Sequence, residues 1–250
     1  MYDNYFKDKV VLVTGSTRGI GKEIAFAFAK LGANLIINGN ENLELLKTTY
    51  EEIKQINPKA IMVKADVSNE LEVANMFNII YDSFGRIDIL INNAGVSTFN
   101  LLSDVEFSEW KKVIDVNLTS AFLTSKLALK SMLSNKSGCI INISSMWGIY
   151  GSACEIPYSV SKGGLNTFTK SLAKEVGPSK IRVNSVACGF IDTTMNKDFT
   201  QEDKDNFVYN HTMLEEIGTT SDVSNLVIFL ASDKARYITG QVISIDGGYC

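Results

Sequence analysis

The chain has a single histidine, His211, among its 250 residues, so proton transfer at neutral pH cannot rest on the usual imidazole unless that one residue serves. Four cysteines, Cys139, Cys154, Cys188 and Cys250, stand far apart with no Cys-x-x-Cys pair. That spacing argues against a zinc site, a thioredoxin-type pair or a disulfide framework, and a reduced cytoplasm is the expected setting. Basic residues are not in excess: the formal charge is −4, which gives no footprint for nucleic acid or an anionic membrane surface. No apolar run approaches the roughly 18 residues of a membrane span. The start, MYDNYFKDKVVLVTG, enters a strand-like run at once and does not read as a signal peptide. Only three prolines interrupt the chain, and no linker, repeat or low-complexity tract marks a boundary. A single domain over residues 1–250 is expected.

Seven short runs read as strands, 10–14, 34–38, 60–65, 87–93, 139–144, 181–187 and 241–246, and most are continuously apolar rather than alternating. Strands buried on both faces of a parallel sheet read this way. Helix-length segments with apolar spacing near 3.6 lie between them, clearest at 19–32 and 69–85, each closed by a glycine stop signal. Alternation of strand and helix along the chain predicts an α/β fold with a doubly wound parallel sheet and helices on both faces. One stretch, 189–216, shows no clean strand or helix and is expected to be a substrate lid.

The first strand runs into TGSTRGIG, 14–21. Gly15 permits a tight turn, Gly19 lets the backbone approach a pyrophosphate, and Gly21 permits close helix–strand contact. The phosphates would sit at the positive N-terminus of the following helix. The spacing is GxxxGxG rather than GxGxxG, and a glycine-rich strand–helix turn alone need not bind anything. The second strand ends in Asn38-Gly39-Asn40 without the carboxylate that would take a ribose 2′-OH and repel a 2′-phosphate. Arg18 can pair with such a phosphate, or be only a solvated loop charge. NADP(H) is the expected dinucleotide, with NAD(H) possible.

Taken in order, TGSTRGIG (14–21), Asp66-Val67, NNAG (92–95), Asn117 in DVNLTSAF, Ser145 in NISSMWG, YSVSK (158–162) and GFIDT (189–193) resemble the short-chain dehydrogenase/reductase family over nearly the whole chain. The resemblance implies a seven-stranded Rossmann-type sheet, a homotetramer, and a catalytic set of Asn117, Ser145, Tyr158 and Lys162, with no metal. It implies dinucleotide contacts from Gly15, Ser16, Thr17, Arg18, Gly19, Ile20, Gly21 and Asn40. Asp66, with Val67, would meet the adenine edge, and the backbone of Asn92, Ala94 and Gly95 the adenine ribose. Tyr158 and Lys162 would face the nicotinamide ribose, and Gly189, Ile191 and Thr193 the carboxamide. Asn117 would fix a water connecting Lys162 to solvent, although it can also be a structural amide that bends its helix. Ser145 lies thirteen residues before Tyr158, the family spacing; Ser144 is the neighbouring alternative.

Residues i and i+4 share a helix face, so Tyr158 and Lys162 should point into one cleft. An ammonium about 4 Å from the phenol would favour phenolate by roughly 4 kcal/mol at an effective dielectric near 20. An oxidised nicotinamide would add positive charge, burial opposes both, and the expected net brings Tyr158 toward working pH as a general acid. Within the family the sequence is most similar to 3-oxoacyl-[acyl-carrier-protein] reductases, which makes an acyl carrier protein an expected partner, with Lys136 and Lys180 either its contacts or only solvated charges. It departs from that group at Cys188, where proline is common, at Val96–Asn100 and at Glu215-Glu216. A hydroxysteroid, sugar or polyol substrate is the alternative, and a non-catalytic dinucleotide sensor a remote one. Trp147 and Phe99 are either pocket lining or packing; His211 is either a lid residue or a substrate contact.

Overall fold

The computed structural model describes residues 5–196 and 199–250. Seven parallel strands form one sheet: β1 (Val10–Val13), β2 (Asn34–Gly39), β3 (Ile61–Lys64), β4 (Ile89–Asn92), β5 (Gly138–Ser145), β6 (Ile181–Cys188) and β7 (Val242–Ile245). They lie in the order β3-β2-β1-β4-β5-β6-β7. Each corresponds to one of the seven apolar runs. The helices are α1 (Gly19–Lys30), α2 (Leu43–Ile56), α3 (Glu70–Phe84), α4 (Phe107–Ile114), α5 (Ser120–Asn135), α6 (Trp147–Tyr150), α7 (Ile156–Val176), α8 (Gln201–His211) and α9 (Thr220–Ala231).

Helices cover both faces, and β1 shows how. Val11 and Val13 pack with Ile24 and Phe28 of α1 and with Val223 and Val227 of α9. Val10 and Leu12 turn the other way, onto Val73, Met76 and Phe77 of α3 and Leu172 of α7. Successive strand residues point to opposite faces, so a strand covered on both sides is apolar at nearly every position, as β1 is. Helix ends are set by sequence: Asn69 caps α3 through the N–H groups of Leu71 and Glu72, and Gly85 closes it in the left-handed region.

The chain reverses its direction of travel across the sheet between β1 and β4, its neighbour on the other side from β2. A crevice opens there beyond the carboxyl ends of the strands, the ligand site of open α/β sheets. Among the described residues, no helix is long and apolar enough to cross a membrane.

The 189–216 stretch departs from expectation. It contains a short turn at Thr194–Asn196 and then helix α8. The helix escapes periodicity because its residues, QEDKDNFVYNH, are polar nearly all round, with only Val208 buried. Its start was nonetheless encoded: Thr200 and Asp203 form a reciprocal capping box. Lys197 and Asp198, within the expected lid, lie outside the described residues.

Candidate active site

The glycine loop is fastened to the ends of three strands. The Thr14 hydroxyl accepts from the N–H groups of Asn93 (3.0 Å) and Ala94 (3.1 Å) and donates to the Ile91 carbonyl. The Asn93 amide donates to the Thr14 and Gly15 carbonyls, both at 2.9 Å. Asn38, at the end of β2, accepts from the Gly15 N–H and donates to the Val63 and Ala65 carbonyls of β3 and its following residue. Gly15 has φ 61°, and a Cβ there would lie 2.8 Å from the Ala94 Cα. A Cβ on Gly21 would lie 2.3 Å from the Asn93 amide nitrogen and 2.4 Å from the Gly15 carbonyl. Glycine is required at both points to let the loop, β4 and α1 meet.

The loop fits a dinucleotide. α1 begins at Gly19 with no side-chain cap and no acidic residue in its first turn, which leaves its N–H groups directed at the groove. A Cβ on Gly19 would lie 3.5 Å from the Thr193 side chain, so the loop and the segment after β6 face each other across that groove. Arg18 is exposed and Asn40 half-buried at its rim. Ser16 faces inward instead: its N–H and hydroxyl are both engaged with the Asn38 backbone. Thr17 packs its methyl against Gly39, and its carbonyl accepts from Thr49. Asp66 accepts from the Ser68 N–H (2.9 Å) and hydroxyl (2.6 Å), beside buried Val67. The Asn92 side chain turns into the core, bonded to Thr124, Ser125 and Asn142. Ile191 is buried and bridged to Gly218. A Cβ on Gly189 would meet Asp246 at 2.5 Å.

β5 delivers Ser145, and α7, opened by Pro157 in its first turn, delivers Tyr158 and Lys162. The Ser145 hydroxyl hydrogen-bonds the Tyr158 phenol and accepts from the Trp147 N–H. Ser144 points elsewhere, its hydroxyl donating to the Lys162 carbonyl at 3.3 Å. Lys162 is 4% exposed. Its Nζ donates to the Ile143 carbonyl at 2.8 Å and stands 5.6 Å from the Tyr158 ring centroid. Gly95 closes on the same group, since a Cβ there would lie 3.4 Å from both the Lys162 Nζ and the Asn117 Oδ1.

The electrostatics correct the sequence-based expectation for Tyr158. Burial raises the phenol above its ordinary value, and the Ser145 hydrogen bond only partly offsets this. The lysine is over the ring and committed to a carbonyl rather than set against the phenolic oxygen, so in the protein alone desolvation wins. Burial also pushes Lys162 down, to about 8, and the neighbouring Cys188 thiol up, to about 12. Cys188 pairs in register with Ser145.

Asn117 lies in a π-helical segment, Asp115–Thr119, that joins α4 to α5. Its side chain accepts from the Val96 N–H (2.8 Å) and donates to the Val96 carbonyl (2.9 Å) and the Ser161 hydroxyl (3.0 Å). Helix α8 packs beside this group. Phe207 of α8 packs against Trp147, Phe190 and Tyr249, and His211 stacks beside Phe207 and Tyr249. Trp147 therefore lines this wall, whereas Phe99 is 68% exposed.

Four site residues were missed in the sequence: Thr14, Asn38, Asn93 and Glu155. The first three had a signal, being polar residues at the ends of otherwise apolar strands. Glu155 had none beyond standing three residues before Tyr158.

Fold and site define a nicotinamide-dinucleotide-dependent oxidoreductase. The chain belongs to the short-chain dehydrogenase/reductase family: the family model described as "Enoyl-(Acyl carrier protein) reductase" matches residues 15–250. The chain is 42% identical over 241 residues to a 3-oxoacyl-[acyl-carrier-protein] reductase of Aquifex aeolicus, covering 96% of each chain. It is 40% identical over 240 residues to one of Staphylococcus aureus, covering 96% of this chain and 97% of that one. A solved structure titled as a putative gluconate dehydrogenase from Agrobacterium tumefaciens superposes with a TM-score of 0.92 at 33% identity, covering 98% of this chain and 96% of that one.

Proposed function

We propose that the protein reduces the ketone of a 3-oxoacyl-[acyl-carrier-protein] to the 3-hydroxyacyl form with NADPH. The observation that carries this reading is the pairing of the Ser145 hydroxyl with the Tyr158 phenol over a buried Lys162, next to the glycine loop. Two O–H groups that meet can both address one carbonyl oxygen. The relatives named 3-oxoacyl-[acyl-carrier-protein] reductases supply the substrate class.

A nicotinamide held beside the glycine loop would supply the hydride. Tyr158 gives its proton to the substrate oxygen, and the Ser145 hydroxyl stabilises the charge developing there. Burial suits this direction, because it keeps the phenol protonated before transfer. Lys162, cationic below about pH 8, favours the phenolate left behind and would hold the nicotinamide ribose. The Asn117 side chain is occupied by Val96 and Ser161, so its contact to a relay water falls to its backbone carbonyl. Arg18 and Asn40 would hold the 2′-phosphate. Asp66, and the backbone of Asn92, Ala94 and Gly95, would take the adenosine, and Ile191 and Thr193 the carboxamide.

A cytoplasmic homotetramer completes the proposal. Exposed Phe107 of α4, Phe122 of α5 and Val160 of α7 support the α4–α5 and α7 faces as contacts. The test is NADPH absorbance at 340 nm with acetoacetyl thioesters; consumption with formation of the 3-hydroxy product is expected, and Trp fluorescence quenching without consumption would identify a sensor instead. A polyol-directed reading has one supporting observation, the fold match to a putative gluconate dehydrogenase, and the same assay with keto sugar acids separates it.

A further inference from the structure

Glu155 is a carboxyl group in the site that the chemistry above leaves unused. It occupies the position before the first turn of α7, three residues ahead of Tyr158, and does not cap the helix with its side chain. Its Oε1 accepts from the Ser97 hydroxyl at 2.8 Å, and Ser152 and Trp147 also hydrogen-bond it. Each partner comes from a different wall. Ser97 follows the loop from β4 that Asn117 clamps, Trp147 stands two residues after Ser145 and packs under the lid, and Ser152 lies in the connection from α6 to α7.

No cation pairs with Glu155 among the described residues; the titratable group facing it is Tyr158, on its own helix. Burial raises its carboxyl, partly offset by its three hydrogen bonds. A partly buried carboxyl without a counter-charge is costly, and such groups concentrate at functional sites. An ionised carboxylate can accept about four hydrogen bonds, and three protein donors reach this one. A second observation points the same way. Thr98, the residue after Ser97, has its hydroxyl buried without a hydrogen-bond partner. So has Ser159, one turn after Glu155 on the same helix face. Buried unsatisfied hydroxyls are uncommon and call for an explanation.

We propose that Glu155, framed by Ser97 and Thr98, is a specificity-determining residue that accepts a hydrogen bond from an uncharged N–H or O–H group of the substrate close to the reacting ketone. On the reading above, that donor is an amide N–H of the thioester arm; on a polyol it is a neighbouring hydroxyl. The inference rests on the proposed carbonyl reduction but not on which of these substrates is native.

The test compares matched substrates differing only in the donor. Acetoacetyl-N-acetylcysteamine thioester is set against its analogue with the amide N–H replaced by an ester oxygen. A keto sugar acid is set against its deoxy analogue. In wild type, kcat/KM should favour the donor-bearing member of one pair by about tenfold, mainly through KM. Glu155→Leu should abolish that preference. Glu155→Gln keeps an acceptor without the charge and should reduce it to about threefold. The near-isosteric variant carries the test if Glu155→Leu no longer binds NADPH. A preference confined to the sugar pair sustains the subsite and removes the acyl-thioester reading. No preference in wild type for either pair, or a wild-type ratio in both variants, overturns the inference.

Discussion

The side chain of Asn117 bonds both the N–H and the carbonyl of Val96, at 2.8 and 2.9 Å, as a second strand would. One amide thus pins the loop leaving β4 to the π-helical bulge between α4 and α5, and its third bond, to Ser161, ties both to α7. Removing it leaves three partly buried groups without this partner. Asn117→Ala is expected to lose about 2–4 kcal/mol of stability in urea unfolding and more than tenfold in kcat. Wild-type stability would contradict this role.

Lys162 should make stability depend on pH. The folded protein releases its proton near pH 8, whereas the unfolded chain holds it to about 10.5. Between those values the unfolded state binds more protons, so this group makes stability rise with pH; below pH 8 the cost of burying the charge is fully present. That cost is on the order of 3 kcal/mol, offset in part by the hydrogen bond to Ile143. Lys162→Met is expected to be more stable than wild type by roughly 2 kcal/mol at pH 7, with the gap closing by pH 10. Chemical denaturation at the two pH values measures it, and a gap that widens with pH would contradict the assignment.

Gly21 leaves no room for a methyl group, with Asn93 and the Gly15 carbonyl on its Cα hydrogen side. Gly21→Ala should push the glycine loop off Asn93, costing about 1–3 kcal/mol and weakening NADPH binding at least tenfold by fluorescence titration. Unchanged affinity would show that the loop is not the dinucleotide cradle.

Arg18 is exposed at the N-cap of α1 and carries no capping bond, so its removal should leave the fold intact. Arg18→Ala is expected to lower kcat/KM for NADPH by about tenfold or more and to leave that for NADH within about twofold. Equal losses with both dinucleotides would assign Arg18 a role other than holding the 2′-phosphate.

The sheet was legible because burial on both faces writes itself into a strand as an unbroken apolar run, as in Val10–Val13. The glycine loop was legible because only glycine can occupy positions 15 and 21. Helix α8 was not, since a helix with one buried residue has no apolar stripe to detect. The direction of the Tyr158 shift in the protein alone is not legible in the sequence, for a related reason. Spacing says that Lys162 shares its face, but not that its Nζ would turn to Ile143, nor how deeply the phenol would be desolvated. Asn38 and Asn93 show in the sequence only as polar residues at strand ends, and what they hold, like the Ser97 contact of Glu155, is set in three dimensions, because those partners lie 20 to 80 residues away.

The most direct test of Tyr158 as the proton donor is turnover of Tyr158→Phe under saturating NADPH and acetoacetyl thioester. The substitution keeps the ring over which Lys162 stands and removes only the hydroxyl that Ser145 meets. NADPH should still bind with near wild-type affinity while kcat falls by about three orders of magnitude or more. A variant that binds NADPH and still reduces the ketone within tenfold of the wild-type rate would contradict the account.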